Sequence, residues 1–173
     1  NLRLNTSHKI FNGKLKIGEN MNVSKTKDTP EPNDLGGAGI DYLATYSQPI
    51  LPVHTTDGGW AGPLGSGMSD RNNPLHMLYI HKDNKDNNLT IFGNLYAELT
   101  PIKNVTIRSS IGLDYTYSNN FWIEPTYKEG FLNQNLNSLS EFNGQRTNWT
   151  WSNTVNYSLV LGQHSFNFLA GME

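Results

Sequence analysis

Two alternating segments joined by a short turn decide the fold of this chain: Leu89-Thr-Ile-Phe-Gly-Asn-Leu-Tyr-Ala-Glu-Leu99 and Val105-Thr-Ile-Arg-Ser-Ser-Ile-Gly-Leu-Asp-Tyr115. Within each segment every second residue is mainly apolar, and the residues between are mainly polar. Because successive side chains of a strand point to opposite faces, each segment is predicted to be a strand with one apolar face. Pro101 suits the turn, since proline lacks the N–H group that a central ladder requires. The pair is therefore predicted to form an antiparallel hairpin.

Two further hairpins are predicted on either side of this one. The first joins residues 1–11 to residues 14–27 through Asn12-Gly13, a pair that readily adopts the positive φ angles of a two-residue turn. Its second arm extends over about 14 residues, whereas strands of globular proteins usually have about 5–6. Glu19 interrupts the apolar face of that arm. The third hairpin is expected to begin near Thr147 and to turn at Leu161-Gly162-Gln163.

Short turns alternate with long loops along the chain. The loops run from about Asp28 to Asn88 and from about Asn119 to Arg146, and Ile40–Tyr46 is predicted to form a short helix inside the first. If consecutive strands are antiparallel, every tight turn lies at one end of the sheet and every long loop at the other. Outer-membrane barrels have this asymmetry, with short periplasmic turns and long extracellular loops.

Four aromatic residues are expected at the long-loop end. Trp149 and Trp151 are predicted to start the strand after the second long loop, and Tyr115 and Tyr117 to end the strand before it. At a shared level these rings would form the outer aromatic girdle of a membrane barrel. In a soluble sandwich the same rings would be core residues or a platform for sugars. Alternation has the same period in both architectures, so it does not separate them.

The composition excludes several classes of protein. A net charge of −2 over 173 residues gives no broad attraction to nucleic acid. Absence of cysteine removes disulfide frameworks and thiolate metal sites. The longest apolar run, Met77 to Ile80, is far shorter than the roughly 20 residues of a membrane helix. Since the chain begins and ends inside strand-like patterns, we expect it to be a piece of a longer protein.

Loop aromatics provide the best candidates for ligand contact. Trp60, Phe121, Trp122 and Tyr127 can stack on a sugar or pack on a partner, and Asp57 lies close to Trp60 in the sequence. Alternatively, the same rings anchor the loops on themselves. These five residues are the candidate ligand-binding set.

Three other kinds of site are not expected. The glycines between Gly58 and Gly67 precede no Gly-Lys-Ser/Thr, so they are predicted to make turns. The loop histidines have no helical ligand spacing, so no metal site is predicted from His54, His76 and His81 with Asp57 or Asp70. The loop acids are expected to be solvated and not to form a glycosidase pair; they are Asp57, Asp70, Glu124 and Glu129. No catalytic residue or cofactor is predicted.

The ordered set of segments resembles the SusC/RagA-like family of TonB-linked (TonB-dependent) outer-membrane proteins of Bacteroidetes. The resemblance is carried by both segments of the second hairpin, by His8-Lys-Ile-Phe-Asn-Gly-Lys-Leu-Lys-Ile-Gly-Glu-Asn20 and by Trp149-Thr-Trp-Ser-Asn-Thr-Val-Asn-Tyr157 with Leu169-Ala-Gly-Met-Glu173. Loop segments Leu51-Pro-Val-His54, Asp57-Gly-Gly-Trp-Ala-Gly62 and Asn73-Pro74 also fit. His54 departs from the pattern, because an aromatic such as Tyr is expected there.

The resemblance implies an all-β fold in which residues 1–173 form a partial barrel domain of about six antiparallel transmembrane strands with long extracellular loops. The whole barrel would have roughly 22 strands, and signal peptide, TonB box, plug and remaining strands would lie outside this sequence. It also implies a non-enzymatic role in the outer membrane of a Gram-negative cell. Energy would come through TonB, a SusD-like lipoprotein would cap the loops, and the cargo would be an oligosaccharide or peptide.

Overall fold

The structure of the protein is a computed structural model that describes residues 1–33, 37, 39–65 and 67–173. Residues 34–36 and 38 of the first predicted loop, and residue 66 of the Gly58–Gly67 run, lie outside the described residues. Within the described ranges the elements are β1 (Leu2–Ile10), β2 (Leu15–Asp28), α1 (Ile40–Tyr46), α2 (Pro74–Ile80), β3 (Lys85–Leu99), β4 (Val105–Glu124), β5 (Tyr127–Glu129), β6 (Leu132–Gln134), β7 (Ser138–Leu161) and β8 (His164–Met172).

One six-stranded sheet dominates the chain, in the order β1-β2-β3-β4-β7-β8, and β5 pairs with β6 in a small second sheet. The β1–β2, β5–β6 and β7–β8 pairs are antiparallel. The prediction of an all-β, mostly antiparallel fold is therefore confirmed. Neither helix in the described part of the chain has the length and apolar character needed to cross a membrane.

The first hairpin forms where it was predicted, but its connection is longer. Pairing ends at Ile10↔Leu15, which leaves the four residues Phe11–Lys14 as the connection. Phe11, Asn12 and Gly13 have φ angles of 53°, 55° and 85°. Asn12-Gly13 alone is therefore not the turn, because Phe11 also occupies the left-handed region that L-residues adopt at a cost.

Glu19 has a partner on the apolar face that it interrupts. Register pairs Thr6 directly with Glu19, and the Thr6 hydroxyl donates a hydrogen bond of 3.2 Å to the Glu19 carboxylate. A polar cross-strand pair of this kind stabilises a sheet locally. The apolar face is thus interrupted by polar residues on two neighbouring strands, Thr6 on β1 and Glu19 on β2.

All three tight turns lie at one end of the sheet. The Thr100 amide, just after β3, donates to the Lys14 carbonyl at 2.7 Å. The Ser158 amide of β7 donates to the Asn104 carbonyl in the β3–β4 turn at 2.9 Å. Gly162, with a φ angle of 59°, makes the β7–β8 turn. The predicted grouping of the turns is therefore confirmed.

The strands on either side of the second loop are longer than predicted. β4 continues to Glu124 and β7 begins at Ser138, whereas the sequence pattern ended one near residue 118 and began the other near Thr147. Polar cross-strand bonds support the added length, since the Asn119 side chain donates to the side chains of Asn143 at 2.7 Å and Glu141 at 3.1 Å. The extension was missed because neither added segment has the apolar alternation that identifies strands. Residues 119–124 contain the unbroken run Phe121-Trp122-Ile123, and residues 138–146 are mostly polar.

The prediction of four aromatics at one level is therefore wrong. Trp149 and Trp151 lie well inside β7, and the Trp151 indole donates to the Ser109 hydroxyl at 3.0 Å. Tyr117 lies eight residues beyond Ser109 on β4, or roughly 26 Å at 3.3 Å per residue. Trp151 and Tyr117 consequently occupy different heights along the sheet, so the four rings do not share one level.

The described chain divides into two compact units. The first comprises residues 1–26, 88–118 and 144–173, and the second residues 27–87 and 119–143. In the first unit the two sheet faces differ sharply. One face carries aliphatic and aromatic side chains that include Ile17, Leu95, Ile111, Trp151 and Phe168.

The apolar face of the first unit is exposed. The side chains of Leu95, Ile111, Leu113 and Val155 have relative exposures of 56%, 49%, 42% and 45%. The buried apolar side chains identified in the described chain, Leu43, Ala61 and Met77, all belong to the second unit. In the described residues, the sheet of the first unit thus has no apolar layer packed over it.

The opposite face of the first unit is polar and internally paired. Tyr96 lies over Gly18, where a Cβ would stand 2.5 Å from the tyrosine ring. The Arg108 guanidinium stacks over the same ring at 4.4 Å and pairs with Glu98 at 3.7 Å. Gly18 is needed here because any side chain would displace this cluster.

The second unit holds both helices. Helix α1 spans Ile40–Tyr46, which confirms the helix predicted in the first loop, and its Leu43 is fully buried. Helix α2 was not predicted, although its start follows helix rules. The Asn73 side chain accepts from the Leu75 amide and Pro74 occupies the first turn, as expected for an N-cap followed by proline.

Candidate functional site

A buried carboxylate organises the second unit. Glu129, at the end of β5, has no exposed side-chain surface, and its Oε2 lies 2.7 Å from Nδ1 of His76 on α2. The Asn73 backbone amide donates to Oε1, and the Asn72 side chain donates to Oε2 at 3.5 Å. Both carboxylate oxygens are therefore bonded, as a buried charge requires.

Glycines allow the backbone to approach this carboxylate. A Cβ at Gly62 would lie 2.5 Å from Glu129 Cγ, and Gly130 has a φ angle of 62°. The Phe131 amide donates to the Pro63 carbonyl at 2.9 Å, so the β5–β6 hairpin is bonded to the glycine-rich segment. The prediction that Glu129 is a solvated loop acid is therefore wrong, since its side chain is fully buried.

Aromatic rings surround His76. The Trp60 ring stacks on it at 4.7 Å with an interplanar angle of 13°, and the Tyr127 ring meets it edge-on at 5.3 Å. His54 and Tyr79 contact the Trp60 ring at 4.5 and 5.5 Å. Two of the five candidate ligand-binding residues, Trp60 and Tyr127, are thus brought together by His76. Their packing supports the alternative in which the rings anchor the loops.

Asp57 lies apart from these rings, in an exposed turn that Thr55 and Gly59 close through a backbone hydrogen bond of 2.8 Å. The hydrogen bond from the Thr55 side chain, with help from the Asp57 and Gly59 backbone amides, lowers the pKa of the Asp57 carboxyl below its ordinary value of 3.8. The Asp57 carboxylate is therefore stabilised mainly by hydrogen bonds within its own turn.

The remaining candidates lie on the part of β4 within the second unit. The Trp122 ring lies 5.3 Å from the ring of His81, at the end of α2, and its indole donates to Glu124 at 3.4 Å. Phe121 is half-buried.

The other histidines and acids have separate local partners. His81 Nδ1 lies 3.0 Å from the Met77 carbonyl, and Asp70 pairs with Arg71 at 3.4 Å. Glu124 also accepts from the Ser138 hydroxyl at 3.3 Å. In the described ranges, no group of three or more His, Cys, Asp or Glu residues is placed to hold a metal ion.

A cleft of about 370 Å³ lies within the second unit, beside α1 and α2. Its volume falls in the range of small-molecule pockets, about 300–1,000 Å³. Most of its lining is apolar, and the polar side chains at its wall include Gln48, Arg71 and Asn72. Sequence analysis did not find this cleft because its lining comes from four separate stretches of loop and helix.

A furrow of about 560 Å³ crosses the polar face of the first unit. It lies at Gly112, whose missing side chain leaves a hollow in β4, and the Phe92 ring stands exposed at its edge. Amide side chains dominate its lining, and the side-chain Nδ2 of Asn20 donates to the side-chain Oδ1 of Asn94 at 2.9 Å. The asparagines of the furrow are Asn5, Asn20, Asn22, Asn94 and Asn148. Paired amides and an exposed ring suit a ligand rich in hydroxyl or amide groups.

No known protein family matches the chain, and no curated protein matches it.

Proposed function

We propose that the chain is part of an outer-membrane TonB-dependent active transporter that imports large nutrients such as glycans or peptides. In this proposal the first unit is a section of barrel wall. Its apolar face contacts lipid and its polar face lines the lumen. No bond is made or broken in the cargo, so the protein is not an enzyme.

One observation carries the proposal: the apolar face of the first unit has no covering layer among the described residues. A soluble sandwich would bury Leu95, Ile111, Leu113 and Val155 in a dry core. Each of these side chains keeps at least two fifths of its surface exposed. Exposed apolar patches of this extent mark protein or membrane contacts. Lipid acyl chains would cover all of these exposed apolar side chains together.

Strand length and turn placement also support a membrane wall. β4 and β7 have 20 and 24 residues, against about 9–11 for the membrane-crossing part of a strand. The three tight turns are at one sheet end, as are the periplasmic turns of outer-membrane barrels. Strands longer than the bilayer are expected where a wall continues toward surface loops.

The polar furrow and the second unit are the proposed recognition surfaces. Amides in the furrow can bond either sugar hydroxyls or peptide groups. The second unit packs around the buried His76–Glu129 pair, which favours a folded loop body over a flexible one. A SusD-like surface lipoprotein is the proposed partner of these loops, and TonB the source of energy through a region outside this sequence.

A soluble carbohydrate-binding module of the β-sandwich class is the second candidate. The furrow with its exposed Phe92 ring favours it, because rings and amides are common contacts for sugars. It requires the apolar face to be covered by protein, and not by lipid. The two proposals therefore differ in a property that a solubility experiment measures.

The test is to unfold the purified chain with and without detergent. We expect cooperative unfolding of a monomer in detergent micelles, which can cover the apolar face and the outer edges of β1 and β8, and aggregation in buffer alone. A cooperative monomer in buffer would contradict the membrane wall and support the sandwich. Sequencing the complete reading frame is the control, since the proposal expects an upstream plug domain with a TonB box.

A further inference from the structure

A groove crosses the exposed apolar face of the first unit. Its volume is about 350 Å³, and its lining is almost entirely apolar. The side chains that form its walls are Met21, Ile91, Leu95, Ile111, Leu113 and Trp149. This groove lies on the face opposite to the asparagine-lined furrow.

Gly93 makes the groove a fixed feature of the sheet. A Cβ at this position would press against the Asn20 carbonyl oxygen and lie 2.9 Å from Met21 Cα. Because these are backbone atoms, β2 and β3 would have to separate to accept any side chain. The groove therefore follows from the packing of β2 against β3 and does not depend on side-chain rotamers.

A carboxylate lies at the rim of this apolar groove. Glu19 lines it, is half-buried, and accepts one hydrogen bond, from the Thr6 hydroxyl. No ion pair between Glu19 and a basic side chain is found in the parts of the chain that the structure describes. A carboxylate in an apolar band is costly unless a cation pairs with it. The groove thus combines room for hydrocarbon with a requirement for positive charge.

We propose that this groove binds one phospholipid whose headgroup carries an ammonium group, with an acyl chain along the apolar walls and the ammonium beside Glu19. This inference rests on the proposed membrane-wall function. The Trp149 side chain is 68% exposed at the groove, and its ring offers a second attraction for a cation. Charge complementarity therefore selects the lipid class.

The position of Glu19 also selects a leaflet. Pairing of β1 with β2 begins at Leu15, next to the tight turn. Glu19 is four residues further, or about 13 Å along the strand. A headgroup at this height belongs to the leaflet at the tight-turn end of the sheet.

The test measures which lipid the chain retains. The full-length protein encoded by the complete reading frame, in which the proposed barrel can close, is inserted into vesicles of equimolar phosphatidylethanolamine and phosphatidylglycerol, extracted in mild detergent, and weighed by native mass spectrometry. We expect the ethanolamine lipid to be enriched about threefold over its bulk ratio. Glu19→Gln returns the ratio to the bulk value, and Met21→Trp, which fills the groove, lowers total retained lipid. Glu98→Gln, which removes one acidic charge from the opposite face, keeps the enrichment.

Two results overturn the site. One is a bulk lipid ratio on the unchanged chain, and the other is enrichment that survives Glu19→Gln. N-acetylated phosphatidylethanolamine tests the site without any substitution in the protein. Its headgroup carries no positive charge, so the site predicts that this lipid is not enriched. A chain that does not enter vesicles would overturn the proposed wall and this site together. A chain that inserts without lipid preference would overturn the site alone.

Discussion

His76 Nδ1 lies 2.7 Å from Glu129 Oε2, and the two side chains are 4% and 0% exposed. They come from elements more than fifty residues apart, α2 and β5. Trp60 and Tyr127 pack around the histidine ring, so the pair is the centre of the second unit. A buried pair of this kind fixes the geometry of what surrounds it, because breaking it leaves an uncompensated group.

Glu129→Ala is expected to destabilise the second unit by about 3–5 kcal/mol, because it leaves His76 and the Asn73 amide without their acceptor. Hydrogen exchange of the Leu43 and Met77 amides measures the loss. Glu124→Ala is the control, since Glu124 is only half-buried and its bonds are long; it should cost about 1 kcal/mol. Equal protection in both variants would show that Glu129 does not hold this unit together.

Gly93→Ala is expected to weaken β2–β3 pairing strongly, because the new methyl group meets the Asn20 and Met21 backbone. Overpacking of this kind costs about 1–3 kcal/mol or more. Gly112→Ala is a matched control in the same sheet, since its nearest neighbours would be 3.9 Å away. Denaturation midpoints in detergent compare the two variants. The close approach of β2 and β3 would be refuted by equal midpoints.

Ile111→Arg and Ser110→Arg place the same charge on opposite faces of β4. On the proposed wall, Ile111→Arg faces lipid and should make insertion less favourable. Because Ile111 lines the groove that holds the headgroup, the cost should exceed the roughly 0–1 kcal/mol of an interface and fall short of the roughly 2–4 kcal/mol of the bilayer midplane. Ser110→Arg faces the polar side and should have a small effect. Protease protection in vesicles reports insertion of each variant. A larger loss for Ser110→Arg would reverse the assignment of the faces.

Asp57 gives a pH prediction with a definite sign. Its pKa in the folded chain is below 3.8, mainly through the Thr55 hydrogen bond. A lowered pKa means that the carboxylate stabilises the turn above the unfolded value, and that this contribution is lost as the pH falls through the folded pKa. Thr55→Val should raise the Asp57 pKa toward 3.8, as measured by carboxyl ¹³C shifts. A pKa that is unchanged in Thr55→Val would assign the shift to the backbone bonds alone.

Local signals predicted most of the sheet but not the loop body. Alternation and turn residues identified all three hairpins, and the helix over Ile40–Tyr46 forms where it was predicted. The ends of the strands near Asn119 were predicted wrongly. Asparagine side chains pair across these strands, and such pairs leave no alternation of apolar residues in the sequence. The prediction for Glu129 was wrong for a different reason, because the burial of Glu129 depends on His76, which is distant in the sequence. Asn73-Pro74 matches the residues preferred at a helix start, although helix α2 was not predicted from it.

The connection between β2 and β3 has a consequence for the order of folding. β1–β2 and β7–β8 join across very short turns, whereas about 56 residues separate β2 from β3. Closing that long connection costs about 2 kcal/mol more chain entropy than closing a four-residue turn. We therefore expect the hairpins at the ends of the sheet to assemble early and β2–β3 late. In that order, the close approach of Gly93 to Asn20 would form among the last contacts of the sheet and would fix how β2 and β3 align.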